Sequence, residues 1–242
     1  MRLAPLLIIL VARPCFADAL ADVRSTLEAL GGKQPVRAKV SFSLWRETKG
    51  EKAIGGTIAL HAEDGPDGLR LSYGAQQMGL LLTETRAQSE DSDAPIPLRL
   101  ATQETSVPVV AELLCQAEPL LRALSHAKLV SDRVEDRDGK PTRLLELEVA
   151  PALPPGMKKR VKKVEDRLKI WLGEDGVPVA TEETLKYSGS VVVVSFEGAL
   201  SQTQKLAKVG DRLVVMQRSS EDEASGFGAA VHSRKSVTLT LP

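Results

Sequence analysis

This 242-residue chain contains three histidines, the side chains best suited to bind a metal or to transfer a proton near neutral pH. His61, His126 and His232 lie far apart in sequence, and none stands in a His-x-x-x-His spacing, which would place two imidazoles on one helix face. The sequence therefore predicts single histidines that are partly exposed or hydrogen-bonded, and it predicts no metal site or other cofactor.

Two carboxylate pairs are the candidates for acid–base chemistry. Glu146 and Glu148 stand two residues apart in an alternating segment, so they share the solvent face of a strand, and Glu182-Glu183 lie in a similar segment. The sequence contains neither a Gly-rich phosphate loop nor a Gly-x-Ser-x-Gly nucleophile turn. Because no polar constellation can be assembled, we expect a protein that is not an enzyme.

A basic run, Lys158–Lys163, contains four lysines and one arginine in six positions. Such a run could dock an acidic envelope protein or anionic lipid headgroups, or it could be the solvated entrance to a strand. We favour the solvated entrance and keep the docking surface as an alternative.

The first residues have the pattern of an export signal. Arg2 precedes the apolar run Leu3 to Ala12, and small residues before Asp18 offer a cleavage site after residue 17, or alternatively after 19. Arg13 and Pro14 before Cys15 are atypical of a lipid-anchored signal. We therefore expect signal residues 1–17, a single mature domain over 18–242, and a soluble periplasmic protein.

Composition narrows the class of partner. Loss of Arg2 and Arg13 with the signal leaves 30 basic and 32 acidic side chains, a balance that argues against nucleic acid. The remaining Cys115 stands in an apolar helical pattern, where a buried and unreactive thiol is expected. We expect a monomer.

Alternating apolar and polar residues predict strands over most of the chain. In VRAKVSFSLW the apolar residues from Val36 to Leu44 fall on one face, and GGTIALHAE, DGLRLSYG and MGLLLTETRA are predicted to continue the sheet. From Lys128 to the terminus the pattern is an antiparallel meander, with short turns at Asp138-Gly139, Asp175-Gly176, Ser188-Gly189 and Gly210-Asp211. The acidic Glu221-Asp222-Glu223 segment is predicted to be a loop.

Helical patterns occur at two places. Leu20, Val23, Leu27 and Leu30 recur at helical spacing after the signal. SVPVVAELLCQAEPLLRALSHA carries a second apolar stripe, which Pro119 should kink or divide into two helices. The predicted fold is α+β and mainly antiparallel β: a strongly curved, unclosed β-barrel of about 10–11 strands covered by two or three short helices.

The order of these elements resembles the exported LolA-like carriers, a superfamily that includes RseB-type regulators and LppX-type lipid carriers. The resemblance is carried by the helix after the signal, DGLRLSYG after Pro66, and VPVVAELL opening a mid-chain helix. It implies an unclosed barrel whose apolar cavity receives acyl chains. LolA itself has a gating arginine before the matching proline, but Gly65 stands there, so that role is not carried over.

Two functions are compatible with this pattern. A carrier would hold a lipid or the acyl chain of a lipoprotein among apolar residues of the sheet and helices, namely Phe42, Leu44, Ile58, Leu60, Leu71, Tyr73, Leu113, Leu114, Leu121, Ile170, Leu172, Val194 and Phe196. A regulatory or scaffolding module would bury the same residues as solid core and act through its outer surface. The sequence favours the carrier and keeps the module as the alternative.

Overall fold

A computed structural model describes residues 16–150, 160–191 and 194–242. In this part of the chain ten strands form one antiparallel sheet in the order β3-β2-β1-β10-β9-β8-β7-β6-β5-β4, with five short helices. The sheet does not close, because β3 and β4 are its two edges. This confirms the α+β class and the unclosed ten-stranded sheet, and it exceeds the two or three helices expected.

The element bounds follow the chain in order. The helices are α1 (Phe16–Glu28), α2 (Ala75–Glu90), α3 (Pro97–Gln103), α4 (Val107–Leu114) and α5 (Ala117–Ser125). The first strands are β1 (Val36–Thr48), β2 (Ile54–Gly65) and β3 (Gly68–Tyr73), and β4 (Ala127–Arg137) and β5 (Lys140–Val149) follow the helices. The remaining strands are β6 (Val161–Leu172), β7 (Pro178–Val191), β8 (Val194–Val209), β9 (Arg212–Gly226) and β10 (Ala229–Thr240).

Alternation along β1 sets the inner face of the sheet. Val36, Ala38, Val40, Phe42 and Leu44 are buried, while the residues between them are exposed or partly exposed. Register carries this face onto the neighbouring strands, where Phe42 lies opposite Ile58 of β2 and Val237 of β10. The predicted apolar face is therefore confirmed, and it packs against helices into one continuous core.

A buried arginine, Arg212, binds the segment between α1 and β1 to the sheet. The Arg212 guanidinium donates to the carbonyl of Gln34 at 2.8 Å and to Asp64 Oδ2 at 2.6 Å. The neighbouring carboxylate, Asp211, accepts the backbone N–H groups of Lys33 and Gln34, and these bonds hold the pKa of Asp211 below its usual range. Asp211 of the β8–β9 turn and Arg212 directly after it thus hold the segment between α1 and β1 in place through hydrogen bonds.

The prediction of a strand over residues 78–87 is wrong, because this segment forms the middle of α2. Gln, Met, Leu, Ala and Glu are good helix formers, and this composition prevails over the consecutive leucines. Its Glu84 is buried and accepts the backbone N–H groups of Leu98 and Arg99 at 3.0 and 3.2 Å. The first N–H groups of a helix have no partner within the helix, so the Glu84 carboxylate supplies the missing acceptors at the start of α3. Its negative charge also interacts favourably with the positive end of the helix dipole.

The mid-chain helix is divided as predicted, although the break lies at Cys115-Gln116, ahead of Pro119. Pro119 stands in the first turn of α5, where its missing N–H costs no helical hydrogen bond. Cys115 is half-buried rather than buried, with its thiol 3.5 Å from the carbonyl oxygen of Gly31.

Three of the four predicted turns in the meander are confirmed. Asp138-Gly139, Asp175-Gly176 and Gly210-Asp211 each join neighbouring strands, with positive φ at every glycine. The turn at Ser188-Gly189 is wrong, because both residues lie inside β7, and Gly189 pairs with Phe196. The expected loop Glu221–Glu223 is also wrong: β9 continues through it to Gly226.

Replacement of Gly176 by valine should destabilise the fold by about 1 kcal/mol or more, because Gly176 has a φ of 75° that a β-branched residue adopts poorly. The nearest atom to an added Cβ is 3.9 Å away, so the cost would come from the backbone and not from a clash. Chemical denaturation measures it, with Gly65→Val as the control, since Gly65 has open space and an ordinary φ. Equal midpoints for Gly176→Val and wild type would contradict this account of the hairpin.

Candidate functional site

Most residues predicted to hold an acyl chain come together in the core. Eight of them, in β1, β2, α4 and β6, are at most 4% exposed: Phe42, Leu44, Ile58, Leu60, Leu113, Leu114, Ile170 and Leu172. A void wide enough for a hydrocarbon chain would leave its lining side chains in contact with water-sized space. These eight residues have almost no such contact and belong to one cluster of buried apolar residues, so this part of the molecule is packed core.

The other five predicted residues are arranged differently. Leu71, Tyr73 and Leu121 are half-buried and pack against the rim of the core. Phe196 lies toward the opposite end of the sheet, with its ring 6.4 Å from that of Tyr187, and Val194 is 38% exposed. The structure does not bring these last two residues together with the others.

Polar side chains occupy the inner face of the sheet directly beyond the apolar core. One cross-strand row contains Thr181, Gln204 and Arg218, the next row contains Glu183 and Lys235, and Asp166 stands one row further. Thr181, Gln204 and Asp166 are 4%, 4% and 7% exposed. We call these six residues the inner polar band.

Several atoms of the inner polar band have no hydrogen-bond partner among the described residues. They are Asp166 Oδ1, Gln204 Oε1 and Arg218 Nε. Arg218 does donate through Nη2 to Gln116 Oε1 at 3.2 Å, and Lys235 donates to Glu104 of the α3 end at 2.7 Å. Buried polar atoms without hydrogen-bond partners lower the free energy of unfolding, so the inner polar band destabilises the fold.

Burial controls the ionisation of the inner polar band. It raises the pKa of Asp166 above its usual value. Burial also raises the pKa of Glu183, and the nearby Asp166 charge adds to that shift. The pKa of Arg218 is lowered by burial, against the opposing effect of nearby carboxylates. Two carboxyls with raised pKa values can exchange protons closer to neutrality than free carboxylates can.

The pair Glu182-Glu183 illustrates what the sequence concealed. Successive residues of a strand point to opposite faces, so Glu182 pairs with Lys169 at 2.8 Å on the outer face while Glu183 enters the inner polar band. Glu146 does lie on the outer face, where a hydrogen bond from Arg133 is the main cause that lowers its pKa to about 2. Glu148 is exposed, as expected.

A cavity of 690 Å³ opens on the outer face of the sheet, away from the helices. Its walls are two complete cross-strand rows that run from β1 to β6, spanning about 24 Å at the usual strand spacing. The first row is Glu47, His232, Glu223, Ala199, Lys186 and Glu165. The second row is Lys49, Ala230, Ser225, Glu197, Ser188 and Lys163. We call this site the outer cavity.

Charge is distributed unevenly along the outer cavity. At its β6–β7 end Lys163 and Lys186 outnumber Glu165, and toward its β9–β1 end Glu47 and Glu223 outnumber Lys49. Between the ends the lining includes Gly198, Ala199 and Ala224, with Glu197 beside them. The cavity thus has an excess of positive charge at one end and of negative charge at the other, with side chains of both signs at each end.

The basic run leads directly into the outer cavity. Arg160, Lys162 and Lys163 are exposed, and Lys163 lines the cavity wall. Lys158 and Lys159 lie outside the described residues, as does nearly all of the predicted signal, including Cys15. The exposed positions fit the favoured interpretation, a solvated strand entrance, and the alternative docking surface would adjoin the cavity at Lys163.

His232 was predicted to be a single histidine, but the structure surrounds it with carboxylates. Its Nε2 lies 2.7 Å from Glu221 Oε1 and 4.0 Å from Glu223 Oε1. Its ring contacts Trp45 edge to face, with centroids 5.2 Å apart. His61 and His126 are exposed. Hairpin pairing of β9 with β10 brings the three residues together, and a short-range spacing search does not detect such pairing.

No protein-family model matches the chain, and no curated protein is significantly similar to it. None of the helices in the described residues is long and apolar enough to cross a membrane.

Replacement of Asp166 by asparagine should stabilise the protein at pH 8 more than at pH 3, which lies below the ordinary pKa of this carboxyl. A raised folded-state pKa means that wild-type stability falls as pH rises from the ordinary value of 3.8 through the folded value, and the neutral amide removes this loss. Thermal midpoints across this pH range measure the effect. Glu165→Gln, an exposed neighbour on the same strand, is the control, and a pH-independent difference for Asp166→Asn would refute the burial argument.

Proposed function

We propose that this protein is an exported, non-catalytic binding module of the cell envelope, with a solid core, that acts through its outer cavity. The observation that carries the proposal is the position of open space. The apolar residues expected to line a lipid cavity are packed against one another, whereas the 690 Å³ cavity lies on the opposite face. The export pattern of the first seventeen residues supports the periplasm as its compartment.

A polypeptide segment is the partner that best fits the outer cavity. A length of about 24 Å accommodates roughly seven extended residues at about 3.3 Å each. Side chains of both charges line the walls, and complementary charges give such contacts specificity and register. The basic end at Lys163 and Lys186 selects for acidic residues in the bound segment.

A surface lipid carrier is the second candidate, and one observation favours it. Met78, Leu80 and Leu82 of α2 are 43%, 50% and 54% exposed, and Val107 at the start of α4 is 51% exposed. The edge strand β3 ends two residues before α2 begins, and its Leu69 and Leu71 are half-buried against the core. An acyl chain bound at this position would lie against α2 and β3 and not within the core.

The polypeptide proposal can be tested with a photo-crosslinking amino acid at Ala199, on the cavity floor. We expect a covalent adduct to a protein in the intact envelope, and mass spectrometry of the adduct identifies the crosslinked segment. The same amino acid at Thr238, which is exposed on the same face but outside the cavity, should give no such adduct.

Charge reversal supplies the second arm of this experiment. Lys163→Glu combined with Lys186→Glu should reduce the Ala199 adduct at least severalfold, because acidic residues of the partner would meet like charges. Lys205→Glu changes an exposed lysine of the same face outside the cavity and should leave the yield unchanged. Equal adduct yields at Ala199 and Thr238, or insensitivity to the double reversal, would overturn the proposal.

A further inference from the structure

A histidine and two glutamates converge at the wall of the outer cavity, on the paired strands β9 and β10. One ligand atom from each of Glu221, Glu223 and His232 can be chosen so that all three lie within 4.8 Å of one another. His232 is directly opposite Glu223 in the register, and Glu221 lies on the diagonal. We propose that these three residues form a binding site for a divalent transition-metal ion, with Zn²⁺ as the best chemical match.

The donor set selects the class of ion. An imidazole nitrogen together with carboxylate oxygens suits Zn²⁺ and its neighbours in the transition series, whereas Ca²⁺ and Mg²⁺ prefer oxygen ligands alone. Two glutamate side chains on neighbouring positions of the β9–β10 pair supply the carboxylate oxygens of this donor set.

The distances are close to those that a metal requires. Two ligands at about 2.0–2.1 Å from a tetrahedral zinc lie about 3.3–3.4 Å apart. The His232 Nε2 atom is 2.7 Å from Glu221 Oε1 and 4.0 Å from Glu223 Oε1, values that bracket this separation. Side-chain movements of about 0.6–0.7 Å at the ligand atoms bring both pairs to the zinc geometry.

Neighbouring residues hold the ligands in place. The Trp45 ring contacts the imidazole edge to face, and Arg234 donates to Glu221 Oε1 at 2.9 Å, which uses one lone pair of that oxygen and leaves another for a metal. Outer contacts of this kind orient metal ligands. Glu47 lies opposite His232 on β1, so a further carboxylate is one strand away.

Three protein ligands leave one tetrahedral position for water or for a donor atom of a bound molecule. Because His232 and Glu223 line the outer cavity, that position lies at the surface where we place the partner. The metal site does not rest on the proposed function, since its ligands are all contributed by this chain.

Zinc binding can be measured by competition with a chromophoric chelator, using protein from which any histidine tag has been removed. We expect one Zn²⁺ per chain for the wild type and for His61→Ala and His126→Ala, whose histidines are exposed and lie outside the three-residue cluster. His232→Ala and Glu223→Gln should each weaken binding at least tenfold. Glu223→Gln conserves shape, and its thermal midpoint confirms folding.

Tryptophan emission locates the bound ion. Ni²⁺ should quench the Trp45 emission, since the imidazole centroid is 5.2 Å from this ring, and Trp45→Phe should abolish most of the response. Trp171 packs with Leu144 and Ala180 in a separate cluster and should respond little. Failure of the wild type to bind Zn²⁺, or wild-type affinity in His232→Ala, would overturn the site.

Discussion

Burial of one sheet face beneath short helices is the constraint on which the rest of this structure depends. A ten-stranded sheet with an apolar face cannot leave that face in water, and each fully buried leucine or valine contributes about 1.5–3 kcal/mol. The helices α3 and α4 pack on the sheet, and α1 packs on α5. Contact is close enough that a side chain on Gly56 would overlap the carbonyl of Pro97.

The helices cover only part of the sheet, and this limit shapes both candidate surfaces. Beyond them, the inner face changes from leucine and valine to the inner polar band, where Asp166 and Glu183 are held in low-dielectric surroundings. On the outer face, the same strands carry the two charged rows of the outer cavity. A solid core at one end of the sheet and polar rows at the other are the observations that support the proposal of recognition at the surface.

Much of the fold follows from local pattern, as the residues of β1 show. The alternation from Val36 to Leu44 fixes the buried face, and the Asp-Gly and Gly-Asp turns fix the hairpins. In α2 the local signal failed, because three consecutive leucines fit a strand as well as a weakly amphipathic helix. The predicted turn at Ser188-Gly189 was wrong because a Ser-Gly pair is typical of turns. Here the glycine lies within a strand and leaves room for the Phe196 ring of the neighbouring strand.

The candidate sites were harder to predict, for a physical reason that differs from residue to residue. His232 gains its carboxylate neighbours from β9, and the segment Glu221–Glu223 was too polar to be predicted as strand. Glu183 was hidden because polar residues occupy both faces of β7 at that point, so alternation gives no direction. Packed core and lipid cavity require the same apolar residues, so burial in the folded chain was needed to distinguish them.

The solid core is tested most directly by native mass spectrometry of the folded protein after purification from the cell envelope. The proposed module with a solid core predicts no species heavier than the polypeptide by the mass of a lipid, and no lipid released on collisional activation. A species heavier by the mass of a lipid, released as an intact lipid on activation, would contradict the proposed polypeptide-binding module and support a lipid carrier.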